Sequence, residues 1–139
     1  MARITLALCC LLLLVSCDVS SPGDVAQSEI KDHLDAMKTA FALDDLDGFM
    51  SYFHPDYFHD GDTFLTVQLK WELNMMEYQN LDFENIDVDV HSPQAHVTGQ
   101  LVLRDAEGTT VYYSMPEECA EFSYWQLDDG EWRLFGRQY

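Results

Sequence analysis

The sequence predicts an α+β domain, with helices from its first half packed on a mainly antiparallel sheet from its second. Three observations predict it. Apolar residues recur at helical spacing as far as about Gln79 and alternate at strand spacing from Ile86 onward. Short turns rather than helices separate the later strands, as in an antiparallel meander. The chain has 139 residues, enough for one such domain with a real core but short for two.

The first helix spans Val25 to Leu43, where Ile30, Leu34, Met37 and Phe41 are spaced by four, three and four residues. Its N-terminus is expected near Ser28, with Asp32, Asp35 and Lys38 on other, solvated faces. Asp44 or Asp45 then caps a short second helix with Asp47 in its first turn, and Leu46, Phe49, Met50 and Phe53 form one apolar stripe. Pro55 ends it. Tyr57, Phe58 and His59 make a short extended run, Gly61 permits a turn, and Asp62 or Thr63 caps a third helix reaching about Gln79. That helix carries Phe64, Val67, Trp71, Met75 and Tyr78 on one face.

The period then changes. Ile86, Val88 and Val90 alternate with Asp87, Asp89 and His91 as a half-buried strand. Ser92 to Gln94 turns the chain into a second strand, Ala95 to Arg104, in which Gly99 marks a bulge or bend. Asp105 to Gly108 leads to a third strand, Thr109 to Met115. After Pro116, a fourth is expected from Cys119 to Leu127. Asp128-Asp129-Gly130 is a hairpin signal, and Glu131 to Tyr139 closes the sheet.

Two parts of this pattern also resemble a known superfamily. The succession of a helix, Asp45-Leu46-Asp47-Gly48 opening a second helix, Phe53-His54-Pro55-Asp56 and a short strand is similar to the start of nuclear transport factor 2-like proteins. The ending Leu127 to Leu134, an acidic-Gly hairpin followed by Trp132-Arg133-Leu134, resembles their close. The superfamily includes ketosteroid isomerases, polyketide-cyclase-like proteins and many members without catalysis. The resemblance covers Val25 to Tyr139 and implies a cone-shaped roll: N-terminal helices on a curved, mainly antiparallel sheet, with a pocket at the open end. It also implies a homodimer through the outer sheet face, as members often form.

Residues 1–16 have another character. Arg3 supplies a positive start, and Ile4 to Val15 is an apolar run well short of the ~20 residues that span a bilayer. Leu14-Val15-Ser16-Cys17 matches the bacterial lipobox, in which Cys17 becomes the first mature residue and carries the lipid, palmitate-type acyl chains included. Two or three such chains anchor stably at ~0.8 kcal/mol per buried methylene. The expected organisation is therefore a signal peptide (1–16), Cys17 with a flexible tether (17–24) and a domain (25–139). The segment Asp18 to Asp24 reaches at most about 25 Å at ~3.5 Å per residue, which keeps the domain near the bilayer on the extracytoplasmic side. Asp18 resembles the inner-membrane retention signal of enterobacterial lipoproteins. An ordinary secretory signal with an incidental Cys17 is the alternative.

Composition narrows the partners. The 25 acidic against 7 basic residues give a formal charge of -18, which argues against nucleic acid and against anionic head groups, so the lipid anchor is the expected membrane contact. The 47% hydrophobic content argues against disorder. Cys9 and Cys10 leave with the signal and Cys17 takes lipid, so Cys119 has no partner within the mature chain. It reads as a small buried hydrophobe, with a nucleophile or an intermolecular disulfide as the alternatives.

His54, His59, Asp60 and Asp62 cluster within a few residues, a group that could ligate a divalent metal or act in proton transfer, the alternative being a helix end and turn dressed with polar residues. No His-x-x-x-His or Cys spacing accompanies it, and Asp44 to Gly48 does not fit a calcium loop, since Leu43 and His54 would fall where acids are needed. No metal and no cofactor are therefore expected. Aligned on the Asp-Leu-Asp-Gly motif, the isomerases' catalytic Tyr falls at Met37 and their general-base Asp at Gly61, so the resemblance does not carry that activity over. It does carry a pocket, lined by Tyr57, His59, Trp71, Met75, Tyr112, Tyr124 and Trp132, suited to a small, flat, partly apolar ligand. Core packing is the competing role for each, above all for Trp71 and Met75 on the helix stripe. The function expected is thus non-catalytic binding by an anchored lipoprotein of the cell envelope. Its rivals are a hydrolase, lyase or isomerase using His59 with Asp60 or Asp62, and an assembly module that binds another envelope protein.

Overall fold

The computed structural model describes residues 20–138; the signal segment, Cys17 and the start of the tether lie outside them. Helix α1 runs Pro22–Ala42 and starts earlier than the apolar spacing alone requires. Ser21 is the reason. Its side chain accepts from the Asp24 N–H while the Asp24 carboxylate accepts from the Ser21 N–H, a capping box with Pro22 at the first helical position. Helix α2, Leu46–Met50, is capped by Asp45, whose carboxylate accepts from the Gly48 N–H at 2.9 Å. Strands β1 (Phe58–His59) and β2 (Asp62–Thr63) form a tight hairpin, and Thr63 caps α3, Phe64–Glu77.

The main sheet contains β3 (Asn80–His91), β4 (Gln94–Arg104), β5 (Thr110–Met115), β6 (Tyr124–Asp128) and β7 (Glu131–Leu134). It is antiparallel but not a simple meander. Strand β4 pairs along one edge with β3 and along the other with β5 at one end and β6 at the other. Two sequence expectations are corrected here. Cys119 to Ser123 is not strand: Ala120–Phe122 is a short 3₁₀ turn that carries the chain from β5 across to β6. Strand β3 begins at Asn80 rather than Ile86, because a bulge between Glu84 and Asp87, with Asn85 at φ 55°, interrupts its alternation. Gly99 faces that bulge from β4; a Cβ there would lie 2.6 Å from Ile86 Cδ1, so the bend is in the partner strand.

After β7 the chain leaves the sheet. His54 N–H donates to the Leu134 carbonyl, Phe58 N–H to that of Phe135, and Gln138 N–H back to that of Phe58, which stitches the tail alongside β1. The core lies between the helices and the sheet. Phe41, Phe49, Phe53, Trp71 and Phe122 are each 2% exposed or less, and their ring centroids stand 5.1 to 6.2 Å apart, mostly edge to face. These aromatics fill the deep interior between helices and sheet. One of the cavities that remain open lies at the mouth, where the β1–β2 hairpin, α3 and the tail meet.

Candidate functional site

The mouth is built from the β1–β2 hairpin, the first turns of α3, the 3₁₀ turn and the tail. It encloses a cavity of about 380 Å³, lined by Tyr57, His59 and Tyr124 among others, with Lys70, Glu121 and Arg137 on its wall. The backbone N–H of Arg137 reaches His59 Nδ1 at 3.3 Å, and His59 Nε2 lies 3.4 Å from Asp60 Oδ2. His59 therefore carries its proton on Nε2, toward the carboxylate, while its lone pair is occupied by the backbone. Its ring stacks on Tyr124 at 5.3 Å, and the Arg137 guanidinium sits 4.6 Å from the Tyr124 ring centre.

Across the cavity, Lys70 from α3 pairs with Glu121, whose other carboxylate oxygen accepts from Cys119 Sγ at 3.1 Å. Glu121 is buried, and Lys70 sets an opposite charge directly against it. Burial opposes the Lys70 charge, but the charge and hydrogen bond of Glu121 outweigh it and raise the lysine above its usual 10.5. Burial, then Glu121, push the Cys119 thiol well above its usual 9.0. Cys119 is thus a buried, protonated thiol, unsuited to act as a nucleophile. Burial followed by the charges of Glu121 and Asp62 likewise holds the Tyr57 phenol neutral, and its hydroxyl has no hydrogen-bond partner.

The structure brings Tyr57, His59 and Tyr124 together but distributes the other expected residues elsewhere. Trp71 is core, its ring bordering a separate recess of about 100 Å³. Met75 packs against the core, and Trp132 lies beneath the first turns of α1 beside Val90 and Leu127. Tyr112 is 54% exposed, whereas its neighbour Tyr113 lines the recess with Trp71: the pleat turns alternate side chains to opposite faces, and one residue decides which is inside. Sequence reasoning missed Lys70, Glu121 and Arg137. Lys70 carried a signal, as the one basic residue between Lys38 and Arg104 in a chain crowded with acids. Among the described residues no group of three or more His, Cys, Asp or Glu is arranged to hold a metal ion.

Helices from the first half of a chain packed on a curved antiparallel sheet also describe a group of solved proteins. This is the nuclear transport factor 2-like fold. A nuclear transport factor 2-like protein of unknown function from Pseudomonas putida superposes with a TM-score of 0.63 at 15% identity, over 81% of this chain and 83% of that one. A protein from Novosphingobium aromaticivorans designated a candidate scytalone dehydratase gives 0.58 at 15% identity, over 81% and 80%. Bd1075 of Bdellovibrio bacteriovorus gives 0.64 at 9% identity; the match covers 81% of this chain but only 40% of Bd1075. No family model matches the sequence, and no curated protein does. Within the fold, Met37 is fully buried core and Gly61 is a turn glycine at φ 91°, so neither isomerase position supplies a functional group.

Proposed function

We propose that this protein is a lipid-anchored, extracytoplasmic binding protein that holds a small ligand at the mouth of its nuclear transport factor 2-like domain without transforming it. The observation that carries the reading is the His59 lone pair. A general base must offer a free acceptor nitrogen to its substrate, and Nδ1 already accepts from the Arg137 N–H while Nε2 bears the proton. The cavity nonetheless has features of a binding site. It has aromatic walls in Tyr57 and Tyr124, an unpartnered buried hydroxyl on Tyr57, and five carboxylates: Asp60, Asp62, Glu117, Glu118 and Glu121. Lys70 and Arg137 offset these only in part, so a ligand with an apolar body and a cationic end fits best.

Ligand-observed NMR with small aliphatic and aromatic amines, each beside its uncharged isostere, tests the binding. Amines are expected to bind and their isosteres to bind at least tenfold more weakly, with Glu117→Gln reducing the difference. Failure of every amine and isostere at millimolar concentration would discard the reading. The anchoring rests on Leu14 to Cys17 and is tested by mass spectrometry of the mature N-terminus. A diacylglycerol thioether on Cys17, lost together with membrane retention in Cys17→Ser, is the expected result; an unmodified or differently cleaved N-terminus removes it.

The dehydratase designation of one structural neighbour and the His59–Asp60 pair favour a second reading, a lyase or hydrolase using His59. Turnover of a bound compound that disappears in His59→Ala, with binding retained, would establish it.

A further inference from the structure

Helix α3 has two apolar faces. Phe64, Val67, Trp71, Met75 and Tyr78 face the core, while Leu65, Leu69, Leu73 and Met76 are 72%, 58%, 56% and 76% exposed. The second set is spaced by four, four and three residues, which at about 100° per residue confines it to one stripe roughly opposite the first. It accounts for four of the seven large apolar side chains exposed among the described residues, so it is a concentration and not a scatter. Four side chains this exposed present on the order of 500 Å² of apolar surface, near the top of the range for the largest patch on a monomer.

We infer that this stripe is a self-association surface, on which α3 of a second copy packs antiparallel about a two-fold axis. Leu65 then lies opposite Met76 of the second copy and Leu69 opposite its Leu73, a self-complementary arrangement because the stripe has nearly the same spacing read in either direction. Two copies of the patch with their polar rims reach about 1,200 Å², the lower bound of a stable specific interface. A lipid surface fits less well. An interfacial helix carries Lys and Arg along its polar flank, whereas α3 has one lysine, already paired with Glu121, alongside Glu72 and Glu77. The face is also distinct from the outer sheet surface through which relatives of this fold are expected to pair.

The charge of -18 gives this dimer a recognisable behaviour. Two copies repel over a Debye length of about 30 Å at 0.01 M salt and only about 3 Å at 1 M. Apolar contact should therefore strengthen as salt rises. Sedimentation equilibrium of the whole purified chain at these two ionic strengths is the test, beside the double variant Leu69→Gln with Leu73→Gln. A dimer whose dissociation constant falls at least tenfold with salt, and which becomes a monomer in the double variant at an unchanged melting temperature, is expected. A monomer at both salt concentrations overturns the proposal. So does a dimer that survives the double variant, which would assign pairing to another face. Vesicle binding that the double variant abolishes while the chain stays monomeric overturns it in favour of lipid.

Discussion

The backbone N–H of Arg137 donates to Nδ1 of His59 at 3.3 Å, a bond between the tail and the end of β1, far apart in sequence. It fixes the imidazole tautomer and closes one side of the cavity at once. The ¹⁵N spectrum of neutral His59 is therefore expected to show protonated Nε2 and acceptor Nδ1, and His59→Ala to lower stability by about 0.5–1.5 kcal/mol, the usual worth of one hydrogen bond. Urea unfolding measures the second quantity. A majority Nδ1–H tautomer would free a base and reopen the catalytic reading.

Lys70 and Glu121 form the other wall, and they are not equally exposed. Glu121 is 6% exposed while the Lys70 side chain is 48% exposed, so losing the lysine leaves a buried carboxylate with the Cys119 thiol as its remaining partner. Lys70→Met is expected to cost about 1.5–3 kcal/mol, the range for a hydrogen bond to a charged group. Adding Glu121→Gln should restore part of that loss, because the uncompensated charge disappears. A double-mutant cycle by urea unfolding reads the coupling, and strict additivity would mean that the pair contributes nothing.

Rising pH acts on the same cluster. Cys119, Tyr57 and Lys70 all hold their protons more tightly in the folded chain than at their usual values of 9.0, 10.0 and 10.5. Above about pH 9 the unfolded chain releases these protons first, so it binds fewer than the folded chain and stability falls as pH rises. The urea midpoint should fall progressively from about pH 9 to pH 11. In Cys119→Ala the fall should begin about one pH unit later, when Tyr57 starts to titrate. A midpoint that is level to pH 11 contradicts the assignment.

Much of the fold was legible because its signals are local. The helix stripe Ile30, Leu34, Met37 and Phe41, the cap at Asp45 and the alternation of Ile86, Val88 and Val90 each lie within a few residues, and each agrees with the element found. The site was less legible because it is assembled from distant segments. Tyr57 and His59 lie close together in the sequence after the second helix, whereas Lys70, Glu121 and Arg137 join them at the cavity only through tertiary pairing. Tyr112 points outward and its neighbour Tyr113 inward because the register sets strand parity, and the register is not written in the local sequence. The outward stripe of α3 is spaced in the sequence as regularly as the inward one, but because a helix of this kind ordinarily has one apolar face, spacing alone does not show that the second stripe stays uncovered.

Gly136 decides whether the tail can reach His59 at all. It has φ 77°, and a Cβ on it would collide with the backbone of Phe58, to which the tail is hydrogen-bonded. Gly136→Ala therefore faces two costs, about 1–2 kcal/mol for the left-handed backbone and a further loss for displacing the tail. Gly61 separates them, since it has φ 91° but nothing within 4 Å of a Cβ, so Gly61→Ala reports the backbone cost alone. The expected result is a clearly larger loss of stability in Gly136→Ala, accompanied by a change in the His59 ¹⁵N signature that Gly61→Ala does not produce. Equal losses with an unchanged His59 would show that the tail does not depend on this contact, and the closed side of the cavity would need another explanation. A selective effect on His59 would instead tie the chain's last residues directly to the electrostatics of the mouth, because the Arg137 N–H bonds the imidazole, which in turn stacks on the Tyr124 ring.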